Sequence, residues 1–248
     1  MMPIGDDNSG RTLVPFVNYV LIALNIAVFV LLQGMGTNER FTYAFSTIPE
    51  EIRTGVDIAR PVRIEVGDQS ATIPLQPTPG SVYTTLLVSM FMHGSLMHLL
   101  GNMLFLWIFG DNVEDDLSHG RYLGFYLSTG VIASLAHVIS TFVFGDNPMI
   151  PSLGASGAIS GVMGGYLVLH PHRRVRVIVL RTFTEVPGYV AVGLWFVLQL
   201  ISAFGVIGQG PQSGGGVAFM AHIGGFIAGV VLVKVFAIGS RKAVRRPY

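Results

Sequence analysis

Apolar residues run along this chain in six long blocks: 16–34, 90–110, 122–144, 156–170, 189–207 and 217–238. Each approaches or reaches the roughly 20 residues that a helix needs to cross a bilayer. All fourteen Asp and Glu residues lie outside the blocks, and the only Lys or Arg inside one is Lys234, close enough to an end to snorkel. The pattern predicts an all-α polytopic membrane protein: six transmembrane helices over 15–238, a cytoplasmic tail over 1–14 and a basic cytoplasmic tail over 239–248. The first block is read as a retained span, because its flank carries Asp6, Asp7 and only Arg11 as a base, with no small-residue cleavage pattern after Gly34.

Between the first two blocks, residues 35–88 are too many for a bare connector. Arg63–Val66 and Ala71–Ile73 alternate around Gly67 and Asp68, which predicts a small hairpin. This long, partly structured first outer loop is expected to fold against the outer face of the helices. The fourth block is the shortest, and its 15 residues make about 22 Å of helix against a hydrocarbon core of about 30 Å. It cannot span unaided, so its outer end must lie below the surface. Gly157, Gly161 and Gly165 repeat at intervals of four, as do Gly225 and Gly229. Such steps let helix backbones approach closely, which brings the fourth and sixth blocks together.

Composition agrees with a lipid-facing fold: 51% of residues are hydrophobic and 12% are charged, against about 25% charged in an ordinary soluble domain. Ten Lys and Arg residues, at 11, 121, 173, 174, 176, 181, 241, 242, 245 and 246, fall on the side that holds both termini. The other side has four, all in the long loop, so both termini are expected in the cytoplasm. The run Asp111–Asp116 is read as the acidic connection between the second and third spans. A net charge of +1 gives no hint of nucleic acid, and the basic runs are read as topology signals with membrane lipid as their neighbour. The absence of cysteine excludes disulfides and thiol catalysis.

Against this background a few polar residues at depth stand out. Ser156 opens the fourth block within Gly154-Ala155-Ser156-Gly157, and His222 lies five residues into the sixth. Counting helix rise from the outer boundary puts the two at similar depth, roughly 7 to 8 Å. His98 and Asn102, four residues apart on one helical face of the second block, reach the same layer. Polar groups in hydrocarbon are costly unless they pair or line a wet cavity. A serine and a histidine together are the pair that nucleophilic acyl transfer requires. With no carboxylate in any block, the pair would be a dyad, and His222 would be held by packing or by a neutral partner.

HGSLMHLLGN from His93 to Asn102, GASG around Ser156 and AHIGG from Ala221 resemble the rhomboid intramembrane serine proteases in order and spacing. The resemblance covers about Phe16 to Ile238. It implies a rhomboid-like bundle of six transmembrane helices, with Ser156 as nucleophile and His222 as general base and acid. The oxyanion hole would be His98, Asn102 and the Ser156 backbone N–H. His93, Gly154, Gly157, Gly161, Gly225 and Gly229 would be structural neighbours of the site. The chemistry needs no cofactor and no metal. The substrates would be transmembrane segments of other proteins, and the expected location is the plasma membrane of a prokaryote. Nothing in the sequence specifies an oligomeric state. The glycine-rich stretch Gly208–Gly216 and the fifth helix are the expected gate for substrate. Two departures from the family are visible: the first loop has no Trp-Arg pair, and Ser160 stands where some members place an aromatic against the catalytic histidine. An inactive rhomboid-like escort protein would ordinarily lack the Ser or the His, and a metal or proton transporter would be expected to carry carboxylates at depth.

Overall fold

The computed structural model describes residues 1–66, 69–208 and 219–240. Strand β1 (Met2–Asp6) is followed by α1 (Phe16–Ala27), which continues through a π-helical turn to Leu32. Short helices α2 (Glu39–Phe45) and α3 (Pro49–Thr54), the hairpin β2 (Pro61–Val66) and β3 (Gln69–Pro74), and one turn of helix α4 (Thr85–Val88) make up the long loop. Then come α5 (Leu96–Leu117), α6 (His119–Phe144), α7 (Ser156–Leu169), β4 (Arg174–Val179), β5 (Thr182–Pro187), α8 (Gly188–Gly208) and α9 (Phe219–Ala237). Among the described residues, α5, α6 and α9 are long and apolar enough to cross a membrane, while the helices at Phe16–Leu32, Ser156–Leu169 and Gly188–Ala203 are shorter apolar ones.

Short α7 is the hub. Every residue from Gly157 to Tyr166 is buried, and the helix packs against α5, α6, α8 and α9. Its glycines explain how so many neighbours fit. A Cβ added at Gly225 would lie 2.1 Å from the Gly157 carbonyl oxygen, and one at Gly229 would lie 2.0 Å from that of Gly161. On the other side, a Cβ at Gly157 would meet Ala133 at 2.6 Å, and one at Gly161 would meet Thr129 at 2.4 Å. Backbone therefore touches backbone between α7 and α9.

Two expectations need correction. The chain is not all-α: besides the β2–β3 hairpin, β1, β4 and β5 form an antiparallel sheet in the order β1-β4-β5. The physical reason is period-two alternation inside the basic run, where exposed Arg174 and Arg176 alternate with buried Val175 and Val177. Those valines need a surface to cover, and the end of the helix bundle provides it. Residues 1–14, expected as a tail, supply strand β1 at the sheet edge. Nor is Asp111–Asp116 a connection. Helix α5 begins six residues later than the apolar block and runs to Leu117, with α6 starting two residues on.

Those acidic residues stay helical and buried because the N-terminal segment supplies donors for them. Asp111 pairs with Arg11. Asp115 accepts from the Thr12 and Leu13 backbone N–H groups at 2.9 and 2.7 Å. Glu114 accepts from the N–H groups of Val17 and Asn18 at 2.9 and 2.7 Å, satisfying amides that the first turn of α1 leaves without intrahelical acceptors. Asp116 lies 3.1 Å from His170.

Asp6 joins the same cluster, accepting from Asn112 Nδ2 at 2.7 Å and from the Tyr166 hydroxyl at 2.9 Å. Burial, aided by the nearby Asp111 carboxylate, pushes its pKa from 3.8 up to about 7. The folded chain then keeps a proton that the unfolded chain loses, so stability is full below the ordinary carboxylate range and declines as pH rises to about 7. Melting curves in detergent across that interval are expected to show the wild type losing ground to Asp6→Asn as pH rises; parallel curves would show that Asp6 ionises freely.

The long loop lies against the helices through a buried threonine. Thr47 and Ser152 exchange backbone hydrogen bonds at 2.9 and 2.8 Å, and the Thr47 hydroxyl reaches Ser89 Oγ at 2.9 Å and the Thr85 carbonyl at 3.0 Å. The loop therefore pins the segment that leads into α7. The predicted hairpin forms with Arg63 opposite Thr72; its turn residues Gly67 and Asp68 lie outside the described residues.

Candidate active site

The site is assembled from four helices. Ser156 is the first residue of α7, so its N–H is one of the amides that a helix start leaves unbonded. The preceding Gly154 has φ +133, a backbone conformation that side-chain-bearing residues avoid. Its N–H donates to the Ser89 carbonyl at 3.0 Å, which fixes the entry to the helix. From α9, His222 presents Nε2 2.8 Å from Ser156 Oγ. Both side chains are partly buried.

On α5, His98 and Asn102 flank the same spot. A Cβ built on Gly154 would lie 3.1 Å from His98 Nε2 and 3.6 Å from Ser156 Oγ, so the imidazole and the hydroxyl border one small space that glycine keeps open. The Gly94 N–H approaches His98 Nδ1 at 3.5 Å. With Nδ1 as acceptor, the His98 proton sits on Nε2 and faces that space. Asn102 is buried, and among the described residues its Nδ2 finds no acceptor. Such an orphan donor costs free energy unless an acceptor arrives. His93 sits behind, fully buried, its ring edge-on to His98 at 5.2 Å.

The order of polar contacts makes chemical sense. A hydroxyl within hydrogen-bond reach of an imidazole can be deprotonated as it attacks, and unpaired N–H donors beside it can meet an anionic oxygen. A family model described as Rhomboid domain matches residues 80–238, which include all of these residues. The chain belongs to the rhomboid family.

Among rhomboid relatives, the chain is 34% identical over 112 residues to the human mitochondrial presenilin-associated rhomboid-like protein, covering 45% of this chain and 29% of that one. It is 32% identical over 143 residues to the mitochondrial rhomboid protein 1 of Saccharomyces cerevisiae, covering 58% and 39%. To the rhomboid protease GluP of Bacillus subtilis it is 30% identical over 232 residues, covering 92% of this chain and 37% of GluP. The matches thus span well under half of these relatives' own length.

Sequence reasoning missed two close partners of these residues in this rhomboid chain. Gln199 on α8 places Oε1 2.7 Å from His222 Nδ1. Gln33, at the end of the first apolar block and fully buried, clasps the backbone of His93: its Nε2 donates to the His93 carbonyl at 3.1 Å and its Oε1 accepts the His93 N–H at 2.8 Å. Both are uncharged amides inside apolar blocks, and neither falls within the three motifs that carry the resemblance. Ser160 is buried and donates to the Ser156 carbonyl at 2.6 Å. The rings near His222 come from elsewhere: Trp195 of α8, with centroids 6.0 Å apart, and Phe219 of α9 at 6.4 Å. Trp195 also faces Phe105 of α5 at 6.4 Å. Most of the expected gate, residues 209–216, lies outside the described residues.

Proposed function

We propose that this chain is an intramembrane serine endopeptidase that cleaves transmembrane segments of other membrane proteins through a Ser156–His222 dyad and an acyl-enzyme. The observation that carries this reading is the 2.8 Å approach of Ser156 Oγ to His222 Nε2 inside an apolar helix assembly. As Oγ attacks a peptide carbonyl carbon, Nε2 takes its proton. The tetrahedral oxyanion receives hydrogen bonds from the Ser156 N–H, His98 Nε2–H and Asn102 Nδ2–H. Collapse breaks the peptide C–N bond, His222 returns the proton to the departing amine, and a water deprotonated by His222 then hydrolyses the ester.

The pairing of β1 with β4 supports an even number of crossings between residues 6 and 174, which the helices α1, α5, α6 and α7 supply. With α8 and α9 this gives six crossings and both termini on the side rich in Arg, the cytoplasm. The match to a bacterial protein covers 92% of this chain, against 45% and 58% for the two mitochondrial ones, which favours a prokaryotic plasma membrane.

The test is labelling with a serine-reactive phosphonate. Modification at Ser156 that vanishes in Ser156→Ala and His222→Ala is expected; folded but unlabelled wild type would point instead to an inactive binding or escort protein. Among the oxyanion donors, Asn102→Ala is expected to lower kcat by about 10²–10³ with KM little changed. Steady-state cleavage of a single-span substrate measures this, and a loss confined to KM would place Asn102 in substrate binding.

A further inference from the structure

Resting on the dyad reading, we propose that Gln199 is a positioning residue that holds His222 in the one tautomer able to take the Ser156 proton. A neutral carboxamide then occupies the place of the carboxylate in a Ser-His-Asp triad.

The geometry is that of a relay through one imidazole. Gln199 Oε1 is 2.7 Å from Nδ1 on one side of the ring, and Ser156 Oγ is 2.8 Å from Nε2 on the other. An amide oxygen can only accept, so Nδ1 carries the proton and Nε2 offers its lone pair to the serine. Without that acceptor a neutral imidazole can shift its proton to Nε2, and the Ser156 hydroxyl then faces a donor instead of a base. Ser160 cannot substitute, because its hydroxyl is engaged with the Ser156 carbonyl. Trp195 and Gln199 are four residues apart on α8 and so share the helix face turned to His222; one gives the ring a wall and the other gives it an acceptor. The titratable groups that face His222 from the other packed helices are His98 of α5 and His137 of α6, with Asp146 beyond His137. No carboxylate among the described residues competes for Nδ1. A neutral partner also suits the surroundings, since a carboxylate at this depth would itself need a counter-charge.

The experiment compares wild type, Gln199→Leu and Gln199→Glu, full length and in detergent. Three readouts are taken: the pH profile of kcat/KM on a single-span substrate, the rate of phosphonate labelling, and the 15N tautomer state of His222. Leucine removes an amide from a membrane helix, so folding is not at risk, and a melting curve checks it. For Gln199→Leu the expected outcome is a fall of roughly 10- to 100-fold in kcat and in labelling rate with KM unchanged, and a His222 signal of mixed tautomers; the order of magnitude is that of losing a group that orients a functional histidine. Gln199→Glu is expected to restore turnover while moving the acid limb of the profile to higher pH, because a carboxylate beside the ring favours imidazolium. Leucine within about twofold of wild type, or glutamate with an unmoved acid limb, would overturn the proposal while leaving the dyad intact. An unlabelled wild type whose His222 still holds its proton on Nδ1 would sink the protease reading and spare the tautomer.

Discussion

Replacing Ser156 with alanine is expected to abolish cleavage of every transmembrane substrate, with kcat falling by at least roughly 10⁴-fold, while the melting temperature stays near that of the wild type. The hydroxyl contributes almost nothing to packing: Ser156 is partly exposed to the site and bonds outward to His222 rather than into the core. His222→Ala is expected to cost about as much, and the double variant no more than either alone, because neither group acts without the other. Additive losses would mean that the two residues serve separate steps. The readout is product formation at enzyme concentrations high enough to detect single turnovers, with cut sites sequenced in the wild type.

The second large effect is on folding. Valine at Gly229 would force a side chain into the Gly161 carbonyl oxygen, 2.0 Å from where its Cβ must go. The obstacle is helix backbone, which has no rotamer to turn aside, so α9 must part from α7 along its length. Overpacking typically costs about 1–3 kcal/mol, and a clash with backbone on both helices belongs above that range. Gly225→Ala, 2.1 Å from the Gly157 carbonyl oxygen, is expected to be milder in stability and severe in activity, because His222 lies one turn before it and would be carried away from Ser156. Gly120→Ala serves as control: nothing lies within 4 Å of its added Cβ, and helix propensity favours alanine by about 1 kcal/mol. Thermal unfolding in one detergent ranks all three; equal melting temperatures would show that the α7–α9 contact yields.

What the sequence disclosed and what it hid divide along a physical line. Apolar helices leave a strong one-dimensional trace, so the apolar blocks and the small-residue steps that bring α7 against α9 could be read from spacing, and the expected meeting of Ser156 with His222 agrees with their 2.8 Å approach. Partnerships leave none. Asp111, Glu114, Asp115 and Asp116 read as a solvated connection because charge ordinarily means water, yet Arg11 and the backbone amides of Thr12, Leu13, Val17 and Asn18 let them continue α5 into the interior. Val175 and Val177 were masked by Arg174 and Arg176, which alternate with them. Gln199 stands 23 residues before His222 and could not be assigned to it without knowing that α8 and α9 are neighbours.

The small sheet sets an order of events during synthesis. Met2 pairs with Ile178 and Asp6 with Val175, so β1 finds its neighbour only after α1, α5, α6 and α7 have been made. Until then β1 is an unpaired edge, Asp6 has no Tyr166 to bond, and the carboxylates of α5 wait beside an N-terminal segment that nothing yet holds in place. Closure of this end of the bundle is therefore late, since it needs β4 and Tyr166 of α7 in place. A nascent chain stalled before residue 175 should carry Ser156 on an incompletely closed bundle, with neither His222 nor Gln199 yet made, so the proposed dyad can act on no neighbour until assembly is nearly done.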